Sequence, residues 1–341
     1  MVDSGQQPVN YGRIMSFSLR GKRLGDKYEK VMEEHSEKYL LPFEKGVGQA
    51  TIAAGSHIDL AAVFGREAPI VVEVGPGSGE QLVHAATLHP EWDFLAFEAW
   101  APGVARCVNA VSRAELDNVK IAELDAAQAL PIIFGAHLGS ESSATHAAEQ
   151  VTAHVAEQAL AHAIERDGAH DVVQNAGQRQ YASQVWTFFP DPWRKKKHRK
   201  RRIVSPSFAH TVAAILQPDG VWRMATDWDN YAWQMRDVIA ESPWFRNPYA
   251  GQNIDFTDEG IYQGGFAPRF EERVMTRFEE RGLEAQRKVH DVVAVRNNLG
   301  IDDAEVPEDP WVSAVARGET VLADRGGERP ASSRRGLAQL G

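Results

Sequence analysis

Apolar residues along the 341-residue chain gather in short unbroken runs, not in the strict alternation of half-exposed strands. IVVEV (Ile70 to Val74) is the clearest run. FLAFEAW (Phe94 to Trp100), VKIAELDA (Val119 to Ala126), VWTFF (Val185 to Phe189) and GVWRMATD (Gly220 to Asp227) follow it. Continuous apolar runs of this length belong to strands buried on both faces, as in parallel sheets. Helix-forming stretches separate them, the first being GPGSGEQLVHAATLHP, which reads as a turn and a helix. The alternation predicts an α/β fold, a mostly parallel twisted sheet with helices on both faces.

The pattern also divides the chain. Residues 1–45 are polar and charged. RIMSFSLRGKR (Arg13 to Arg23) interleaves Phe17 and Leu19 with basic residues and reads as an N-terminal basic arm. The main domain is expected over 46–300, with a helical insertion at about 137–180. In that insertion THAAEQ, AHVAEQ and AHAIER recur every eight residues. Eight residues rotate a helix by about 800°, so each repeat is turned about 80° from the last. His146, His154 and His162 therefore share no face, whereas zinc ligands on a helix need a spacing such as i, i+4. No metal site is expected. The tail, 301–341, is rich in Gly, Arg, Ser and Pro (DRGGERPASSRRG) and is expected to be disordered.

Composition narrows the setting. Hydrophobic residues make up 43% of the chain, enough for a sizeable core. Cys107 is the only cysteine, which excludes an internal disulfide framework and fits a reducing cytoplasm. No apolar run approaches the ~20 residues needed to span a bilayer. The first residues, MVDSGQQPVN, lack the apolar core of a signal peptide. A cytoplasmic protein with no membrane contact is expected. No protein partner is indicated, and monomer and homodimer both stay open.

Against a formal net charge of −10, one stretch stands out: FFPDPWRKKKHRKRR, Phe188 to Arg202. Asp191 sits between two prolines, and a nearly unbroken cationic run from Arg194 to Arg202 follows. Such runs are often merely solvated faces. This one lies between two apolar segments, hence inside a folded domain. Lys195, Lys196, Lys197, Arg199, Lys200, Arg201 and Arg202 can hold a polyanion by charge alone. Asp191 is placed for local chemistry beside it. Phe188, Phe189 and Trp193 are candidates for stacking on a base, with core packing the competing role for the two phenylalanines.

A second constellation marks a cofactor. Glu73-Val-Gly-Pro-Gly-Ser-Gly79 follows one strand and opens a helix. Gly75, Gly77 and Gly79 permit a tight turn and close approach of a ligand. Glu98 ends the second strand, where a carboxylate can accept both hydroxyls of an adenosine ribose, and Asp125 ends the third, within reach of an adenine amino group. G-P-G-S-G is shorter than the dinucleotide G-x-G-x-x-G, and Glu73 directly before it would repel a pyrophosphate. Both points favour S-adenosyl-L-methionine over NAD, although an NAD-dependent dehydrogenase is the alternative in another enzyme class. A non-catalytic RNA-binding protein on the same fold is a third reading.

With these residues assembled, the chain resembles the bacterial tRNA (guanine-N7-)-methyltransferase family from about Arg13 to about Arg281. EVGPGSG, FLAFEAWAPGV, ELDA, FFPDPWRKKKHRKRRIV, GVWRMATDWDNYAWQM and TRFEERG carry the resemblance. It implies a Rossmann-like class I methyltransferase fold, S-adenosyl-L-methionine as cofactor and tRNA as substrate, methylated at N7 of a guanosine in the variable loop. It also implies that Glu73, Glu98, Asp125 and Asp191 contact the cofactor, with Asp191 the catalytic position. Lys195, Asp227, Thr276, Arg277, Phe278 and Glu279 match the family's substrate-binding positions. Where the family usually carries a proline after the tryptophan, Arg194 stands here.

Overall fold

The apolar runs become the centre of one seven-stranded sheet of order β3-β2-β1-β4-β5-β7-β6. The computed structural model describes residues 15–18, 21, 24–136, 179–301 and 304–307. The strands are β1 (Ile70–Val74), β2 (Asp93–Phe97), β3 (Val119–Ala122), β4 (Ala182–Phe188), β5 (Leu216–Thr226), β6 (Phe245–Arg246) and β7 (His290–Arg296). β1 to β5 pair in parallel. β7 runs antiparallel to β5, and β6 antiparallel to β7. This is the Rossmann-like order with the reversed seventh strand that a class I methyltransferase uses. The short β6 and the charged-ended β7 were not among the strands expected from the sequence.

Alternation within each run feeds two cores. Val71, Phe94, Ala96 and Trp186 point to the face covered by α3 (Glu80–Leu88) and α4 (Ala101–Arg113). Val72, Leu95, Phe97, Val185 and Trp222 point to the other. That face is covered by α5 (Ala126–Ile133), α6 (Pro206–Ile215) and α7 (Asp229–Glu241). Burial on both faces explains why the runs are unbroken. A short helix, α2 (Leu60–Phe64), precedes β1.

The arm expected over 1–45 divides. Residues Asp26–Tyr39 form α1, which lies on α4, and Tyr39 and Leu41 are buried in the two cores. Arg13 and Arg23 fall outside the described residues. So do nearly all of the 137–180 insertion, with its repeat histidines, and most of the tail. Among the described residues no helix is long and apolar enough to cross a membrane.

Strand order reverses between β1, which neighbours β2, and β4. At such a switch point the loops leaving the carboxyl ends of adjacent strands part, and a crevice opens between them. The glycine loop follows β1 and the Asp191 turn follows β4, so both constellations converge there.

Candidate active site

A cavity of about 420 Å³ occupies this crevice. Its floor is the glycine loop. Gly75, Gly77 and Gly79 all have left-handed φ, of 76°, 62° and 85°, which a Cβ would strain. Gly79 has a second duty: a Cβ there would lie 3.3 Å from the Cα of Cys107, so its absence lets α3 start against α4. Gly75 and Gly77 line the cavity; Gly79 lies behind the loop.

Three expected cofactor acids face the cavity. Glu73 is only 3% exposed, and its Oε2 is buried without a hydrogen-bond partner. Burial pushes its pKa up to about 8, with the nearby charge of Glu80 adding to the shift. A buried carboxylate oxygen with nothing to bind is a cost the fold bears unless a ligand supplies a donor. Glu98 accepts a hydrogen bond from the Trp100 N–H at 2.9 Å. Its pKa is raised to about 7, again mainly by burial, with backbone donors opposing. Gly103 makes its room, since a Cβ there would come within 2.9 Å of the Glu98 carboxyl carbon. Asp125 is buried and caps α5, accepting from the Ala127 N–H at 3.1 Å. The glycine cradle, the unpartnered Glu73 oxygen and acids at the ends of successive strands fit an adenosyl ligand with cationic groups.

The opposite wall is the turn after β4. Phe189 and Trp193 bracket Pro190-Asp191-Pro192 with left-handed φ of 50° and 41°. Large residues avoid this region, so the turn is held by its surroundings and not by local preference. Phe189 donates its N–H to the Ala225 carbonyl at 2.8 Å. Asp191 lines the cavity, its pKa raised by the protein around it and pulled back by Arg201. Phe188 packs against Trp186 in the core, and both it and Phe189 border the cavity.

The cationic run is not uniform, and its side chains do not all face one way. It winds into a 3₁₀ helix, Lys196–Arg201, which spreads its side chains around the axis. Arg202 is 3% exposed. It donates to the Pro192 carbonyl at 2.9 Å and to Gln234 Oε1 at 2.8 Å, bracing the Asp191 turn from within. Arg201 stacks on Trp193 with 3.5 Å between its guanidinium carbon and the ring centre. It donates to the carbonyls of Met15 at 2.8 Å and Phe17 at 2.6 Å. Trp193 itself donates to the Ser16 carbonyl at 2.8 Å. One face of the expected stacking ring is therefore covered. Arg199 is half-buried, and Lys195, Lys196, Lys197 and Lys200 are exposed.

The third wall is α8 (Arg277–Glu284). Thr276 caps it, its Oγ1 accepting from the Glu279 N–H at 3.3 Å. Thr276, Arg277 and Phe278 line the cavity. Glu279 and Asp227, expected beside them, are not among the lining residues, and both anchor the helix. Glu279 is 2% exposed and takes a two-pronged contact from Arg269, at 2.9 and 3.0 Å, and another from Arg273. Arg273 also grips Asp291 on β7. Asp227 pairs with Arg287 at 2.7 Å and packs on Gly282, where a Cβ would come within 2.9 Å of it.

Several lining residues were not singled out from the sequence: Ser16 and Ser18 of the arm, Gln81, Arg106 and Arg281. The interleaved Phe17 was a signal for the arm; nothing local marks the others.

Comparison with known proteins agrees with this geometry. A family model described as "Putative methyltransferase" matches residues 67–140 and 136–292. A tRNA (guanine-N(7)-)-methyltransferase of Cutibacterium acnes is 34% identical over 279 residues, covering 82% of this chain and 82% of its own. One from Arthrobacter sp. strain FB24 is 33% identical over 316 residues, covering 82% and 86%. One from Pseudomonas entomophila is 30% identical over 299 residues, covering 86% and 98%. Identity at this level over most of both chains, with the glycine loop and the Asp191 turn meeting at one cavity, places the chain in the tRNA (guanine-N(7)-)-methyltransferase family.

Proposed function

We propose that the chain methylates N7 of a guanosine in the variable loop of tRNA, with Asp191 as the catalytic residue. The observation that carries it is the convergence of Glu73, Glu98, Asp125, Asp191 and the start of α8 on one cavity. When bound, S-adenosyl-L-methionine supplies an electrophilic methyl group. Glu73, Glu98, Asp125 and the glycine loop hold that ligand. Guanine N7 carries a lone pair and no proton, so no base is needed to activate it. What the reaction demands is relief of the positive charge that grows on the purine. A carboxylate fixed by Pro190, Pro192 and Arg202 answers that demand without reorganising. Thr276, Arg277 and Phe278 border the base, and exposed Lys195, Lys196, Lys197 and Lys200 meet the RNA backbone. A cytoplasmic site of action fits a tRNA substrate.

Mass spectrometry of tRNA nucleosides after incubation with protein and cofactor should show 7-methylguanosine, and mapping should put it in the variable loop. Binding of NAD without S-adenosyl-L-methionine in calorimetry would overturn the reading.

Three further results are expected. Glu98→Ala should weaken cofactor binding by about 10- to 100-fold, the worth of a charge-assisted hydrogen bond, with tRNA binding little changed. An unaltered cofactor Kd would take Glu98 out of the site. Cofactor affinity should also rise as pH increases from 6 to 9. Glu98, near 7, must lose its proton to accept both ribose hydroxyls, and Glu73, near 8, must lose its own to receive a cation. Calorimetry in buffers of differing ionisation enthalpy should detect proton release at pH 7, and a flat pH profile would contradict the assignment. Finally, Ala at Lys195, Lys197 and Lys200 together should weaken tRNA binding and flatten its salt dependence by roughly 0.7–0.9 in slope per lost contact. Equal binding at all salt concentrations would make these lysines a solvated face.

A further inference from the structure

Five arginines surround α8, and their partners divide them. Arg269 and Arg273 are tied to Glu279, and Arg287 to Asp227. These three position the helix. Arg277 and Arg281 are exposed and both line the cavity. Among the described residues neither has an ion-pair partner. They stand four residues apart, so on a helix they are neighbours on one face. Between them in sequence, Phe278 is 57% exposed at the same cavity, with a ring carbon 3.7 Å from where a Cβ on Gly77 would sit.

The charges of the cavity are thus sorted by depth. Glu73 and Asp125 are buried at its floor, while the two free guanidiniums are on its solvent side. A guanidinium beside so many carboxylates would ordinarily pair with one. These two stay apart, on an α8 whose buried Glu279 is taken up by Arg269 and Arg273. Two unpaired cations flanking an exposed aromatic ring match the needs of an extruded nucleotide: a phosphate on each side and a ring for the base.

From this, and resting on the function proposed above, we propose that Arg277 and Arg281 bind the tRNA phosphates flanking the reacting guanosine. α8 would then form a second RNA-gripping wall, separate from the lysines after the Asp191 turn. The nucleotide is held from two sides, and its base is delivered between Phe278 and Asp191.

The test is the Arg277→Ala/Arg281→Ala double variant, with Arg281→Lys alone as a conservative partner. Both change only exposed side chains, and thermal melting checks that the fold is kept. For the double variant, the KM for tRNA should rise roughly tenfold or more, and the salt slope of tRNA binding should fall by about 1.4–1.8 for two lost contacts. The Kd for S-adenosyl-L-methionine should stay within about twofold, and Arg281→Lys should recover the salt slope, since the charge is retained. Unchanged tRNA KM and salt slope would overturn the proposal. A tenfold looser cofactor Kd with tRNA binding intact would also overturn it, by assigning these cations to the cofactor's carboxylate. Failure of the wild-type protein to methylate tRNA would instead remove the function reading, a result told apart by the unmodified control.

Discussion

Replacing Asp191 with Ala is expected to reduce methyl transfer at least ~100-fold while leaving the melting temperature nearly intact. The loss is that of a preorganised charge aimed at charge developing in the transition state. The fold should survive because the turn is held by groups other than the Asp191 side chain. Arg202 braces the Pro192 carbonyl, and the Phe189 N–H is bonded to Ala225. Asp191→Asn should recover little, since it keeps the shape and removes the charge. Single-turnover assays with saturating tRNA would report the chemical step directly. Turnover near wild type in Asp191→Ala would mean that another group carries the charge relief.

Glu73→Gln should produce two large effects of opposite sign. In the cofactor-free protein the Glu73 pKa is raised from 4.5 to about 8. The folded state therefore holds a proton that the unfolded chain releases. The resulting contribution to stability is complete below about 4.5 and is lost as pH rises toward 8. Glutamine, neutral and of the same shape, removes that dependence. The variant should melt several degrees above wild type at pH 8 to 9 and close to wild type at pH 5. Each pKa unit corresponds to about 1.4 kcal/mol, so the gain at high pH is on the order of several kcal/mol. The same change should weaken S-adenosyl-L-methionine binding by about 100-fold, because the cation loses a buried counter-charge. The added cofactor should then raise the variant's Tm far less than the wild type's. A wild-type-like Tm at pH 9 would show that Glu73 is not held protonated in the empty site.

The parallel strands could be read from the sequence because burial on both faces leaves no polar position to break the run. The glycine loop and Asp191 were readable for a related reason: their chemistry is local, a few residues at fixed spacing. What escaped depends on partners distant in sequence. TRFEE and ATDW mark Glu279 and Asp227, but nothing local shows their pairing with Arg269, Arg273 and Arg287. Arg202 looks like one more phosphate binder, and only the path of the 3₁₀ helix turns it inward. Arg201 is diverted by an arm more than 180 residues away in the chain. β7 was missed because an antiparallel strand whose ends are His290 and Arg296 lacks the unbroken apolar signature.

The place where the chain leaves and re-enters the domain around residues 137–178 has its own consequence. The Gln180 N–H donates to the Phe134 carbonyl at 3.2 Å, and a Cβ on Gly135 would lie 3.9 Å from the Cα of Arg179. The two ends of the excursion therefore meet, and they meet before β4 begins, at the amino-terminal end of that strand, opposite the cavity. Closing a loop across so short a gap costs only about 0.6 kcal/mol more for each doubling of its length. The joint is in effect a splice point. Sequence lengthened, shortened or exchanged there should carry little penalty in folding.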